Sequence, residues 1–344
     1  MMKKMLCLVM ALLLMLTLAC CGKQPSDAAG EGTDEAIVEP EPVLNPLTGL
    51  PLKNENNVNN RPVAVMLNNI HLAMPQHGVS DADMIFEYNV EGAITRMVCF
   101  FQEIDRVGTI GSIRSARPCF IETVLGMDAI YAHAGGSEEA FYMIYQHDMD
   151  DIDENYTAYW RDEDRAQTMD FEHTLMTSGK NLSAYIAECG FRTQHEADYT
   201  YPITFVEDGT PVNGMQAEHI EVPFSYYKTG TFDYDAATKL YMIGQYDDAY
   251  IDGNTGRQVG VTNLLVLYTE VYNSGDSKGH MVIDLQGSGS GTYFCGGKAV
   301  DIEWRKAEMY DPFTYYLTDG TPLSLGAGRT YVCVVSDTTS VTVE

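Results

Sequence analysis

Short apolar runs of β-forming residues, each closed by turn formers, recur along the chain and restrict the folds open to it. In the first half these runs alternate with helical segments, and from about residue 220 they follow one another with only turns between them. Alternation with helices indicates an α/β arrangement, whereas successive strands indicate hairpins. We therefore predict an α+β protein with an N-terminal α/β domain over residues 45–195 and a β-rich C-terminal domain over residues 196–344.

The element boundaries follow from apolar periodicity and from the glycines and prolines between the runs. In the first half we expect strands at residues 62–67, 83–88, 95–101 and 129–133, and helices at residues 116–125, 138–146 and 180–189. In the second half we expect strands at residues 264–272, 281–285, 291–295, 299–304, 313–317 and 330–335. The glycine-rich residues 287–291 are predicted to form a hairpin turn.

Residues 1–21 have the layout of a lipoprotein signal peptide. A short basic start precedes an apolar run over residues 6–19, which has the length of a signal-peptide core. The run ends in Leu-Ala-Cys-Cys-Gly, similar to the bacterial lipobox, in which the cysteine is diacylated after cleavage. Cys21 matches the usual layout, while Cys20 directly follows a small residue. We expect a lipid anchor on Cys21 or Cys20, with an uncleaved membrane anchor as the alternative; either places the body outside the cytoplasm.

The charge of the chain limits its partners. The formal net charge is -28, from 49 acidic and 21 basic residues. This excess excludes nucleic acid and anionic lipid surfaces as partners, because both require basic patches. Residues 22–44 are acidic, rich in proline and free of aromatic residues, which predicts a disordered linker.

The sequence contains no familiar cofactor or metal motif. Walker loops and GxGxxG motifs are absent, the histidines show no zinc spacing, and the acidic residues 148–154 lack the pattern of an EF-hand loop. We expect neither cofactor nor metal. The five cysteines of the body, with no CxxC pair, are expected to be mostly buried thiols.

Arginine is distributed unusually in the first half. Between Asn54 and Gly179 the chain has seven arginines and no lysine. Arg114 and Arg117 lie three residues apart in a glycine-containing segment, just before a proline that opens a predicted helix. Guanidinium groups beside a helix N-terminus can bind a phosphate or carboxylate. The alternative is that both arginines pair with acidic core residues such as Glu87 and Glu91.

Other candidate residues lie near this segment. Arg96 belongs to the same block of motifs, and Arg161 and Arg165 form a second block beside His173. His133 precedes Gly-Gly-Ser at a predicted strand end, where it can serve as an acid or base or as a hydrogen-bonded structural residue. By contrast, Arg61 and Arg106 lie outside both blocks and are interpreted as incidental.

The motifs resemble those of the YerB-like lipoproteins, secreted membrane-anchored proteins of Gram-positive bacteria that contain a domain of unknown function. In the first half the likeness rests on residues 45–49, 83–96, 113–118 and 133–137, and in the second half on Asn263, Gly287, Gly297, Trp304 and Gly320. It covers roughly residues 44–344 and implies an N-terminal domain with these motifs followed by a β-rich domain. The chain departs from the family pattern at residues 172–174 and at Ile243 and Tyr250. The resemblance implies no particular reaction.

Three functions remain open from the sequence. The first is a cell-envelope binding or accessory lipoprotein that holds an anionic wall polymer, or an acidic segment of an envelope protein, on Arg96, Arg114, Arg117, His133, Arg161, Arg165 and His173. The second is an envelope enzyme acting on a phosphate- or carboxylate-bearing glycan, with His133 or Glu91 as acid or base. The third is an interaction module whose arginines form internal ion pairs.

Overall fold

The structure, a computed structural model, describes residues 41–154 and 157–344. The predictions for the signal peptide, for Cys20 and Cys21, and for most of the linker lie outside the described residues. The α-helices are α1 (Pro118–Gly126), α2 (Glu138–Gln146) and α3 (Gly179–Cys189). Short 3₁₀ helices occupy Glu55–Asn59, His71–Ala73, Val79–Asp81, Glu91–Ala93, Ile104–Arg106, Arg165–Gln167 and Phe171–His173.

Strands supply most of the regular structure. Those of the first half are β1 (Val63–Asn68), β2 (Met84–Asn89), β3 (Thr95–Phe101), β4 (Thr109–Gly111), β5 (Ile130–Ala132), β6 (Asp151–Ile152), β7 (Trp160–Arg161) and β8 (Leu175–Ser178). Those of the second half are β9 (Thr204–Val206), β10 (Met215–Gln216), β11 (His219–Pro223), β12 (Thr229–Asp235), β13 (Leu240–Gln245), β14 (Asp248–Ala249), β15 (Gly260–Val261), β16 (Asn263–Thr269), β17 (Val271–Asn273), β18 (Met281–Ile283), β19 (Gly287–Cys295), β20 (Lys298–Lys306), β21 (Thr314–Leu317), β22 (Ser324–Gly326), β23 (Thr330–Ser336) and β24 (Thr342–Val343). The protein is thus a strand-rich α+β fold with mixed sheets.

One large sheet contains strands from both halves of the sequence. Its order is β10-β20-β19-β16-β23-β2-β3-β1-β5-β6, with β21 beside β20. The halves join where β2 pairs in parallel with β23, from Met84 opposite Thr330 to Tyr88 opposite Val334. The predicted domain boundary between residues 195 and 196 stays a prediction, but the central sheet is continuous across the two segments.

Both faces of this sheet are covered, which explains why β1 to β3 are apolar without alternation. On one face, Met66, Phe86 and Val98 pack with residues of α1 and α2 such as Phe120. The opposite face packs against the second sheet, whose order is β14-β13-β12-β11-β24 with β15 beside β13. Local sequence fixes the helix ends: Pro118 opens α1, the Ser137 side chain caps α2, and Gly190 ends α3 in a left-handed conformation.

The predicted elements are confirmed with small shifts at their ends, and β3 and α2 have the predicted bounds. The turn predicted at residues 287–291 is wrong, because these residues form the start of β19, opposite the end of β20. Close packing explains two of the glycines: a Cβ on Gly289 would lie 2.5 Å from Nε1 of Trp304, and a Cβ on Gly291 would lie 2.9 Å from the carbonyl oxygen of Val266. Residues 264–272, predicted as one strand, form β16 and β17, with a break at Glu270.

Candidate functional site

The topology of the large sheet brings several polar segments together at the side where its parallel strands end. Because β1 and β2 are both antiparallel to β3, and β5 is parallel to β1, these three strands end on the same side, at Asn68, Asn89 and Ala132. We call this side the carboxyl edge. The ends of parallel strands are where α/β sheets commonly bind ligands.

The segment of residues 111–117 crosses the carboxyl edge. The backbone N–H of Arg114 donates to the carbonyl oxygen of Met66 at 3.1 Å, and that of Ala116 to Gly135 at 2.9 Å. The carbonyl oxygen of Arg114 in turn accepts from Ala134 at 3.0 Å. These bonds tie the segment to the ends of β1 and β5 and hold the side chains of Arg114 and Arg117 at the edge.

Arg96, Arg114 and Arg117 form what we call the arginine cluster, and Glu91 lies between two of its members. Glu91 Oε1 accepts from Arg96 Nη2 at 2.7 Å and from Arg117 Nη2, while Oε2 accepts from Arg117 Nε at 3.0 Å. Arg96 Nη1 also donates to the carbonyl oxygen of Ser115 at 3.0 Å. The predicted ion pair with Glu91 is confirmed for Arg117, and Arg96 shares the same carboxylate.

The charges within the cluster shift its pKa values. Burial would raise the pKa of Glu91, but the hydrogen bond from Arg117 and the charges of Arg96 and Arg117 outweigh it and lower the pKa to about 2. Burial, with the charge of Arg117, lowers the pKa of Arg96 to about 10. Glu91 is therefore ionised at neutral pH and is a weak base, which matches an ion-pair anchor better than an acid or base in catalysis.

Arg114 has the weakest ion pair of the three arginines. Its Nη2 lies 3.3 Å from Oε1 of Glu172, a carboxylate whose side chain is 57% exposed, whereas the Arg114 side chain is only 16% exposed. The Nε atoms of Arg96 and Arg114 and the hydroxyl of nearby Ser112 are buried, without hydrogen-bond partners among the described residues. The cluster thus has three guanidinium groups, one shared and partly buried carboxylate, and unused donors.

His173 lies beside the cluster. Its Nδ1 is 2.9 Å from Nδ2 of Asn68, and its Nε2 is 3.7 Å from Oε1 of Glu172. Burial lowers the pKa of His173, and the charge of Arg114 acts in the same direction. The imidazole is therefore neutral at pH 7 and adds no positive charge to the edge.

The second arginine block has other contacts. Arg165 is buried and donates to the carbonyl oxygens of His173 at 2.9 Å, Pro75 at 2.9 Å and Ala73 at 2.5 Å, so it holds two loops together. Arg161 donates to Glu154 at 2.6 Å, and its guanidinium carbon lies 3.8 Å from the centre of the Phe171 ring. These contacts do not include Glu91, so the two blocks use separate partners.

His133 is enclosed. Its side chain has no exposed surface, its Nδ1 lies 2.9 Å from the carbonyl oxygen of Gly135, and its Nε2 lies 3.2 Å from Oδ2 of Asp151. The ring stacks on Tyr131 with centroids 4.8 Å apart. Both ring nitrogens have partners inside the fold, which favours the structural interpretation of His133 over the catalytic one.

A second polar group, which the sequence did not indicate, lies on the opposite face of the sheet. We call Asn69, Glu87, Thr95, Lys228 and Tyr331 the Glu87 cluster. Lys228 Nζ lies 3.4 Å from Glu87 Oε1, and both side chains are 1% exposed. Glu87 also accepts from Asn69 Nδ2 at 2.6 Å, from the Thr95 hydroxyl, and from the Tyr331 hydroxyl at 2.7 Å. The expected pairing of Glu87 with Arg114 or Arg117 is therefore wrong.

The interpretation of Arg61 as incidental is also wrong. Its side chain is buried, with Nε 3.3 Å from Oδ1 of Asp128, and Nη1 pairs with Asp150 and donates to the carbonyl oxygen of Arg192 at 2.8 Å. This network joins the start of β1 to the segment after α3. Arg106, in contrast, is exposed.

Comparison with known proteins gives the class to which this fold corresponds. The chain belongs to the DUF3048 family: "Protein of unknown function (DUF3048) N-terminal domain" matches residues 47–192, and the corresponding C-terminal domain matches residues 220–332.

Among individual proteins, the chain is 29% identical over 300 residues to "Putative lipoprotein YerB" of Bacillus subtilis (strain 168), covering 85% of this chain and 86% of the relative. The crystal structure of the YerB protein from Bacillus subtilis matches with a TM-score of 0.76 and 26% identity, covering 87% of this chain and 99% of that one. The resemblance predicted from the motifs is confirmed. Among the described residues, no helix has the length and apolar character needed to cross a membrane.

Proposed function

We propose that this protein is a lipoprotein, anchored to the outer side of the cell membrane through Cys21 or Cys20, whose body binds an anionic group of a cell-envelope polymer at the arginine cluster. The description of the Bacillus subtilis relative as a "Putative lipoprotein" and the lipobox-like sequence of this chain support the anchor. Binding needs no nucleophile, and the enclosed His133 and the ionised Glu91 favour binding over catalysis.

The charge imbalance of the arginine cluster is the observation that carries the proposal. Arg96 and Arg117 share the partly buried carboxylate of Glu91, and Arg114 is left with the exposed carboxylate of Glu172. The positive charge of the three mostly buried guanidinium groups exceeds the buried negative charge beside them. This excess favours binding of an anion, because surroundings of low dielectric constant strengthen the attraction between opposite charges.

Arg114 is the residue that would contact the ligand. An ion pair with an exposed carboxylate contributes only about 0–1 kcal/mol, because water solvates both partners well. A phosphate or carboxylate of the polymer can therefore displace Glu172 at little cost. The guanidinium fork would then bind two oxygens of the ligand, a geometry that lysine does not reproduce.

The test measures binding of purified polyol-phosphate wall polymer and, in parallel, of a carboxylate-bearing wall polymer. We expect Arg114→Gln to weaken binding at least tenfold and Arg114→Lys to recover it only in part. Glu172→Gln should strengthen binding severalfold, because it removes the competing carboxylate. Arg257→Gln, at an exposed arginine of the second half, is the matched control and should leave binding unchanged.

Thermal unfolding separates binding from folding. Arg114→Gln and Glu172→Gln should unfold within a few degrees of the wild type, because they break only a half-exposed pair. If both variants bind either polymer as the wild type does, the arginine cluster is an internal ion-pair network and the proposal fails.

A further inference from the structure

A tyrosine stands almost fully exposed on a firmly held loop. Tyr226 is 94% exposed at the tip of the loop of residues 224–228, which joins β11 to β12. Within the loop, the N–H of Phe224 donates to the carbonyl oxygen of Lys228 at 2.9 Å. The Ser225 hydroxyl donates to the carbonyl oxygen of Ala93 at 2.6 Å, which fixes the loop to the connection between β2 and β3. The aromatic ring is thus presented on an ordered support.

A second aromatic wall comes from the turn between β13 and β14. Tyr246 and Asp247 form this two-residue turn with φ values of 56° and 63°, a left-handed pair that usually selects asparagine and glycine. The Tyr246 hydroxyl donates to the carbonyl oxygen of Asn69 at 2.6 Å, and the ring lies 5.6 Å from that of Tyr227 and 5.3 Å from that of His71. A tyrosine held in an unfavourable backbone conformation points to a role for its side chain.

These walls border an open cleft of about 370 Å³, which we call the aromatic cleft and which is lined by His71, Tyr226, Tyr227, Thr229, Tyr246 and Asp247. Its size lies within the range of roughly 300–1,000 Å³ that is typical of ligand sites. Three tyrosines line it together with an imidazole, a hydroxyl and a carboxylate. This combination fits a sugar ring, which has an apolar face of C–H groups and a rim of hydroxyl groups.

The negative charge beside the aromatic cleft favours neutral sugars over anionic ones. Asp247 lines the cleft and is followed by the exposed Asp248, so an anionic ligand is disfavoured there. The Lys228 ammonium lies 5.5 Å from the Tyr246 ring centre but is already paired with Glu87 inside the fold. We infer that the aromatic cleft binds a neutral sugar ring of an envelope glycan, independently of the anion proposed for the arginine cluster.

The experiment titrates the full-length protein in detergent with neutral oligosaccharides, a panel of tetramers built from N-acetylhexosamine or from hexose rings, by calorimetry. We expect saturable binding of at least one tetramer. Tyr226→Ala should weaken it about tenfold through loss of one stacking ring. Tyr246→Asn should weaken it similarly while keeping the fold, because asparagine tolerates the left-handed turn.

Two controls locate the effect. Tyr145→Ala removes a tyrosine that is exposed on α2 and does not line the cleft, so binding should not change. Arg114→Gln should also leave binding of a neutral tetramer unchanged, which separates this inference from the proposed anion site. The inference is overturned if no tetramer binds the wild type, or if Tyr226→Ala and Tyr246→Asn bind as the wild type does.

Discussion

Replacing Lys228 by methionine tests how far the buried pair with Glu87 stabilises the fold. At the observed separation of 3.4 Å, and with an effective dielectric constant of about 20, the attraction amounts to about 5 kcal/mol. Methionine keeps most of the apolar contact of the side chain but leaves the Glu87 carboxylate without a cation. Removal of one partner of a buried pair typically costs about 3–5 kcal/mol, and we expect a loss near 3 kcal/mol because Asn69, Thr95 and Tyr331 still donate to Glu87.

Urea unfolding, followed by circular dichroism and by the fluorescence of the buried Trp304, measures this loss. The matched variant is Lys228→Met combined with Glu87→Gln, which removes both charges and should return to within about 1 kcal/mol of the wild type. A loss below about 1 kcal/mol in the single variant would refute the reasoning, because the neutral donors alone would then suffice for Glu87.

Three further predictions concern titration and reactivity. Glu91→Gln should lower the free energy of unfolding by about 2–3 kcal/mol at pH 7, because the arginines lower the pKa of Glu91 to about 2 and so stabilise its ionised form in the folded state. In unfolding curves, the difference in unfolding free energy between variant and wild type should vanish as pH falls from 4.5 toward 2. Burial raises the pKa of Asp83 to about 6, so the folded state holds the proton more tightly than the unfolded state does. The free energy of unfolding of the wild type should therefore fall by about 3 kcal/mol relative to that of Asp83→Asn as pH rises from 3.8 to 6. Parallel profiles of unfolding free energy against pH would contradict this. Iodoacetamide should label exposed Cys189 in the native protein but Cys119, whose pKa burial raises to about 12, only after unfolding, as peptide mass spectrometry would show.

Local patterns in the sequence were sufficient for elements that local forces decide. The proline before α1, the serine before α2 and the apolar run of β3 each determine their element without help from distant residues. The glycines of β19 show the limit of such patterns. Glycine favours turns, but it also allows close approach between strands, and the two cases are distinguished by groups distant in the chain, such as Trp304 against Gly289 and Val266 against Gly291.

The candidate site was predicted in part for a similar reason. Arg96, Arg114 and Arg117 belong to one block of motifs in the sequence, and the structure places Arg96 and Arg117 on the same carboxylate, Glu91. Glu87 lies in β2 of the large sheet and Lys228 in the loop between β11 and β12 of the second sheet, and nothing near either residue in the sequence indicates their pairing. The ion pairs of Arg61 could not be predicted from its neighbouring residues, because its partners, Asp128 and Asp150, are distant in the chain.

The parallel pairing of β2 with β23 has a consequence for the order of events during synthesis. Residues 84–89 leave the ribosome long before residues 330–336, and until β23 arrives one edge of β2 has open N–H and C=O groups. Such an edge attracts other strands and promotes aggregation. A chain that stops before residue 330 would keep this edge open, so β2 gains its second neighbour only after residues 330–336 have been made.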